Sequence, residues 1–425
     1  MKSEWVFPGK EGLTRQEKLP DPLVGPDGKR ISSPEEWPEQ REYLKAMLEH
    51  YLYGHAPKGP FHAKGTVLSS KLILEGRAVR EIIRIECGPD RQISFDVKVS
   101  RPNRPGRFPV FIWNHPDMPI GEPGPTEERL IDCPAESECI ERGYAVAAYR
   151  KDQLTPLNMG ANSHLGVSNS QCHKFYPDSD WRAVAMWGWG GSRVLDYLDG
   201  TDWADSSKYI ATGGSHCGKT AIYQSIFDER FAICAAICSG NSGAGSYRYL
   251  GGRMGRGIGY VEAISDITNK SGGIWSWVSD NLAEFGKRDN QYDIGDEAFL
   301  PFDTHFLRAL VAPRAFISID QLDDVWCGAF GTQLSWHASQ PVFSFLGAQG
   351  KNALFFREGT HSIAKPDFLA ALDFADKIFY GIKRPHSFTD KIVHLYYADF
   401  LPAESRGIEP EKIDFSQFFD YSYTD

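Results

Sequence analysis

Residues 208–214 read KYIATGG, and residues 215–227 continue SHCGKTAIYQSIF. The first run is short and apolar and ends in two glycines, as a buried strand entering a tight turn does. From Lys219 to Phe227 the chain reads as a helix. A strand that turns through glycine into a helix is half of a parallel strand–helix–strand unit. The same rhythm extends in both directions. PVFIWNH (109–115) and YAVAAYR (144–150) are strands with a helix-length segment between them, and WRAVAMWGWGGSRVLDYLDG (181–200) has helical spacing. Downstream, FAICAAIC (231–238), PRAFISID (313–320) and NALFFREG (352–359) read as further buried strands. Strands alternating with helices predict an α/β fold: a mostly parallel central sheet with helices on both faces, a three-layer sandwich.

The flanks differ from this centre. Residues 1–40 are rich in Pro, Gly and charge and read as an extended arm. From Pro38 to Tyr53, Leu44, Met47, Leu48 and Tyr51 share one helical face that ends at Gly54. KLILEG, VREIIRIEC and ISFDVKVS, within 62–101, are candidate antiparallel strands. Residues 239–300 break the rhythm with a Gly-rich excursion and IWSWVSDNLAEF. They read as a cap-like insertion forming one wall of an open cleft, with Trp275 or Trp277 near the ligand. FLAALDFADKIFYGI (368–382) is an amphipathic helix and 383–425 an irregular tail. The expectation is one catalytic domain over 1–425, with an N-terminal arm and helix over 1–60.

Composition narrows the functions open to such a chain. With 46 basic and 56 acidic residues in 425, the formal charge is −10, which gives no sign of a phosphate-binding surface and argues against nucleic acid. No apolar run reaches the roughly 18–20 residues of a membrane span. The start MKSEWVFPGKEG has no apolar core of a signal peptide, so the form given reads as cytoplasmic, a removed leader leaving an exported origin open. The eight cysteines make no disulfide framework, no CxxC or HExxH spacing occurs, and a structural zinc is not expected. Cys234 and Cys238 sit in an apolar strand and read as small core residues. Aromatic residues reach 13%, in keeping with sugar-ring contacts as well as with plain packing.

The chemistry centres on Gly213-Gly214-Ser215-His216-Cys217-Gly218-Lys219. A nucleophile on a strand-to-helix elbow between small residues is the mark of α/β-hydrolases. The following backbone N–H and helix start then face a developing oxyanion. The strict G-x-S-x-G pattern fails, because Cys217 stands at the second Gly position. The expected order is Ser, acid, His. Asp323 and Asp324 follow one strand's carboxyl end and His361 follows the next, both on the edge that carries Ser215. His305, near a helix start, reads as structural. His115 follows the first parallel strand, where a second oxyanion donor often sits.

These stretches together resemble carbohydrate esterase family 15, the glucuronoyl esterases. The resemblance rests on LPDPL (19–23), YLYGHAP (51–57), WGWGGSRVLDYL (187–198), GGSHCGKTAIYQSIFDERF (213–231), PFDTHFLRALVAPR (301–314), DDVWCGAFG (323–331) and REGTHSI (357–363), all in family order. It implies an α/β-hydrolase that cleaves esters between 4-O-methyl-glucuronic acid on xylan and lignin alcohols, without metal or cofactor. It implies Ser215 as nucleophile, His361 as base, and Lys219 and Trp326 as sugar contacts. Two departures stand out. His216 replaces an Arg that helps hold the oxyanion; a neutral imidazole offers one donor without the guanidinium's charge and fork. Cys238-Ser239-Gly240 replaces E-S-G, so the acid must come from the later strand end. Asp324, two residues before Trp326, fits that role better than Asp323. The family's sugar-contacting Gln and Glu find no clear place in GGRMGRGIGYVEAI. The leading expectation is a serine carbohydrate esterase acting on a uronate or acylated-sugar ester. A carbohydrate-binding pseudoenzyme is the alternative, and a thiol hydrolase using Cys217 a third.

Overall fold

The computed structural model describes residues 5–59, 61–114, 132–156, 168–250, 261–269, 276–289, 294–384 and 418–421. Among these, nine strands form one sheet in the order β1-β2-β3-β5-β4-β6-β7-β8-β9. β1 (Lys64–Ile73), β2 (Ala78–Cys87) and β3 (Ile93–Pro102) form an antiparallel meander, and β3 joins β5 (Ala145–Tyr149) antiparallel. From β5 onward every pairing is parallel, through β4 (Phe108–Asn114), β6 (Ala204–Gly214), β7 (Phe231–Ile237), β8 (Ala315–Gln321) and β9 (Asn352–Arg357). β2, β3 and the parallel strands stand where the sequence predicts them, whereas KLILEG holds only the last three residues of β1 and then turns at Leu74–Gly76.

The strand pleat sorts side chains onto two faces. Along β4, Val110 and Ile112 join one buried cluster and Phe111 and Trp113 the other; along β7, Cys234 and Ala236 oppose Ile233 and Ala235. The first face is covered by the helices Trp37–Leu48, Ala183–Leu198 and His216–Phe227, the second by Lys365–Tyr380. The strands are apolar on both faces because both are covered.

Two helices behave in ways their sequences explain differently. In WGWGGS, glycine costs roughly 0.5–1 kcal/mol per residue in a helix interior. It is used because a Cβ on Gly188 would overlap the Tyr223 ring and one on Gly191 the Gln224 amide. The glycines let this helix lie close on His216–Phe227, which fixes the elbow from below. The helix Ala329–Phe345 escaped the sequence reading, since Pro341 lies inside it. The helix expected over Pro38–Tyr53 forms as the α-helix Trp37–Leu48 continued by a π-helical turn, Glu49–Tyr53, and ends at Gly54 with φ 70. No described helix is long and apolar enough to cross a membrane.

Candidate active site

Parallel strands bring their carboxyl ends to one edge, where Ser215 follows β6, Asp324 follows β8 and His361 follows β9. Ser215 lies between Gly214, which ends β6, and His216, which opens the following helix. Its φ of 56° and ψ of −128° put a non-glycine residue in a sparsely populated region. Such strain costs on the order of 1–3 kcal/mol and persists only where neighbours enforce it. They do so here. Ser215 N–H donates to Ile237 O of β7 at 2.9 Å, and Gly218 N–H donates to Ser215 O at 2.8 Å. A Cβ on Gly213 would overlap Cys217, one on Gly214 would overlap Ile363, and one on Gly218 would reach 2.9 Å from Ile237 O. Gly218 stands one place later than the hydrolase pattern asks and still meets the turn's demand for a small residue. Cys217 is buried against Gly213.

The loops after β8 and β9 are laced together. Leu322 N–H donates to Arg357 O, and Asp323 exchanges two bonds with Gly359, through its own N–H at 3.0 Å and its carboxylate at 3.2 Å. Arg357 spans to Asp367 at 2.6 and 2.8 Å and to Ser362 Oγ at 3.0 Å, which braces the far side of the His361 loop. Asp324 is left to face the imidazole. Its Oδ2 lies 2.6 Å from His361 Nδ1, and its Oδ1 accepts from Cys327 N–H at 3.2 Å. The two acids that the sequence left side by side therefore separate: Asp323 ties loop to loop, and Asp324 holds the histidine.

Cys238 is buried in the core as expected, and it also borders the site. It follows β7 with φ 35°, and its Sγ, an Asp324 carboxylate oxygen and a His361 ring nitrogen lie within 4.8 Å of one another. Cys327 adds a second thiol, 3.5 Å from His361 Nδ1, while donating to Cys238 O at 2.9 Å. Asp324 first, and Cys238 after it, hold the His361 proton well above the usual histidine range. Cys327 and then His361 draw the Cys238 thiol down, against the opposing effect of burial.

On the other side of Ser215, His216 is buried between two indoles. Its ring centroid lies 5.0 Å from Trp277 and 5.6 Å from Trp187. Burial first, then Lys151 and Lys219, push its pKa far down and keep it neutral. Its buried Nε2 meets no hydrogen-bond partner among the described residues. Trp277 is thus near the elbow as expected, but buried rather than on an open wall; Trp275 and His115 lie outside the described residues. His305 is far from this chemistry. It opens the short helix His305–Ala309, its Nε2 lies 2.7 Å from Pro20 O, and burial lowers its pKa to about 4.

Lys219 is almost wholly buried, with Nζ 2.7 Å from Glu262 Oε2 and 2.6 Å from Ser239 O. Glu262 N–H in turn donates to Trp326 O at 2.9 Å. The sequence reading missed Glu262, because no spacing rule links residues 43 apart. A signal lay in GYVEAI, where a lone acid interrupts an apolar run and calls for a buried cation.

The family model described as "Glucuronyl esterase, fungi" matches residues 85–347. The chain is 25% identical over 403 residues to the carbohydrate esterase MZ0003 of an unknown prokaryotic organism, covering 84% of this chain and 89% of that one. It is 25% identical over 352 residues to a 4-O-methyl-glucuronoyl methylesterase from Wolfiporia cocos, covering 81% and 76%. A carbohydrate esterase family 15 glucuronoyl esterase from Caldicellulosiruptor kristjansonii superposes with a TM-score of 0.70 at 25% identity, over 91% of this chain and 97% of that one. Since the family match spans more than half of the sequence, this chain belongs to the glucuronoyl esterases and is a carbohydrate esterase, a carboxylic ester hydrolase on an α/β-hydrolase sheet.

Proposed function

We propose that the enzyme hydrolyses an ester of a glucuronic acid residue through a Ser215–His361–Asp324 triad. Asp324 accepts a hydrogen bond from His361 Nδ1–H, fixing the tautomer whose Nε2 lone pair takes the proton of Ser215. Ser215 Oγ attacks the ester carbonyl; His361 returns the proton to the departing alcohol, then activates water against the acyl-enzyme. The backbone N–H of His216 and its otherwise unpartnered Nε2 suit the oxyanion, which a neutral imidazole reaches as an N–H donor. Lys219, Glu262 and Trp326 form the sugar side. Lys219 and Glu262 are together neutral, so they favour a neutral ester over the anionic acid it releases, and the ammonium keeps a donor for a sugar oxygen. The relative from Wolfiporia cocos, named a glucuronoyl methylesterase, supports the same substrate class.

The 2.6 Å contact of His361 Nδ1 with a buried carboxylate, on the sheet edge that also holds a serine at positive φ, carries this reading. It also weighs against a pseudoenzyme, which has no need to keep either. Benzyl glucuronate and p-nitrophenyl acetate, offered to wild type and to Ser215→Ala, test it. Wild type should turn over the glucuronate ester and the variant should not. Equal turnover by both proteins would overturn the reading.

A further inference from the structure

We propose that Cys238, Asp324 and His361 form a binding site for a thiophilic divalent metal, zinc above all, and that zinc bound there switches the esterase off. The three side chains stand at the ends of β7, β8 and β9, adjacent parallel strands. Their Sγ, carboxylate oxygen and ring nitrogen already lie within 4.8 Å of one another. No zinc-type spacing exists in the sequence because the sheet, not the chain, brings the ligands together. Zinc takes sulfur at about 2.3 Å and nitrogen or oxygen at about 2.0–2.2 Å in a tetrahedron. Ligand atoms on such a tetrahedron stand about 3.3–3.8 Å apart, so the Asp324–His361 contact must open by about 1 Å. A water fills the fourth position, and Cys327, whose Sγ donates to Cys238 O at 2.9 Å, stays a neutral thiol beside it. Cys238 and Asp324 are buried, while the His361 side chain is 42% exposed and leaves the ion a way in.

Charge and protons balance. One thiolate and one carboxylate neutralise the dication, so the buried site carries no net charge. The Cys238 thiol releases its proton to solvent. The proton on His361 Nδ1 gives way to the metal, and the neutral ring then carries its proton on Nε2. On the triad proposed above, Nε2 is the atom that must accept from Ser215, so a metallated His361 cannot act as base. Only this consequence rests on the functional reading; the binding does not. Magnesium and calcium prefer oxygen ligands and leave the enzyme running.

The test is a titration of cobalt(II), the visible substitute for zinc, into the reduced full-length chain. A thiolate-to-cobalt charge-transfer absorption should appear in wild type and in Ser215→Ala. It should vanish in Cys238→Ala and Cys238→Ser. Zinc should inhibit ester hydrolysis reversibly to chelators, and its affinity should fall at least about tenfold in those variants, at or beyond the loss seen for a second-shell partner. His361→Ala, altered at a partly exposed residue, gives the same loss of cobalt binding should the buried Cys238 changes not fold. Absence of the charge-transfer band in wild type, or zinc inhibition undiminished in both Cys238 variants, would overturn the proposal. A band in a wild-type chain that hydrolyses no glucuronate ester would sink the functional reading and leave the metal site standing.

Discussion

The ends of β7 and β8 are neighbours in the same parallel sheet, and both reach His361, but they bring different chemistry. β7 ends in a thiol, Cys238, on strained backbone, and the chain then passes into a buried loop where Ser239 O and Glu262 hold Lys219. β8 ends in a carboxylate, Asp324, fixed by Cys327 N–H and by the lacing of its loop to that of β9. A carboxylate makes charge-assisted bonds about twice as strong as neutral ones, and a thiol is a weak partner. Two addresses on the sheet edge can therefore orient one histidine, and here the later strand does so while the earlier one has kept the space without the charge.

The largest effect expected from breaking this arrangement is at Asp324. Asp324→Asn should lower kcat on benzyl glucuronate by about 10⁴, the cost of the corresponding change in a serine protease. Asp323→Asn, which touches only the loop lacing, should cost less than about tenfold. Next comes the region beyond β7. Lys219→Met leaves Glu262 buried without its partner, which costs about 3–5 kcal/mol in denaturant unfolding. Replacing Glu262 by Met as well should recover most of that loss. A smaller and opposite effect is expected from Cys238→Glu in the Asp324→Asn background: a carboxylate restored to the β7 end should regain about 10²-fold of the 10⁴ lost. The smallest is a pH shift. His361 works as a base only when deprotonated, and Cys238 helps to hold its proton. Cys238→Ala should move the acidic limb of kcat/KM to lower pH, and a limb that stays put or moves up would show that the thiol does not act on His361.

The sequence made the β8 end easier to read than the β7 end, for physical reasons. Buried strands, the glycine elbow and acids or histidine just past strand ends are local patterns, so Ser215, His361 and Asp324 could be placed in hydrolase order. The choice of Asp324 over Asp323 rested on the resemblance; the separate task of Asp323, its contact with Gly359, joins residues that no local rule connects. Cys238 read as core because a cysteine in FAICAAIC looks like any small apolar residue; only the pairing of β7 with β8 turns it toward the histidine. Glu262 and Trp277 lie in the excursion between those strands. Their positions there depend on buried partners, Lys219 and His216, rather than on periodicity. The helix Ala329–Phe345 was hidden by its own proline.

The central claim is that Asp324, at the β8 end, holds the Nδ1 proton of His361. A proton shared at 2.6 Å between a ring nitrogen and a buried carboxylate exchanges slowly with solvent and resonates far downfield in a proton NMR spectrum. Such a resonance should be present in wild type and absent in His361→Ala, which assigns it. It should persist in Cys238→Ala and in Asp323→Asn and disappear in Asp324→Asn. A resonance that survives Asp324→Asn and is lost in Cys238→Ala or Asp323→Asn would contradict the account.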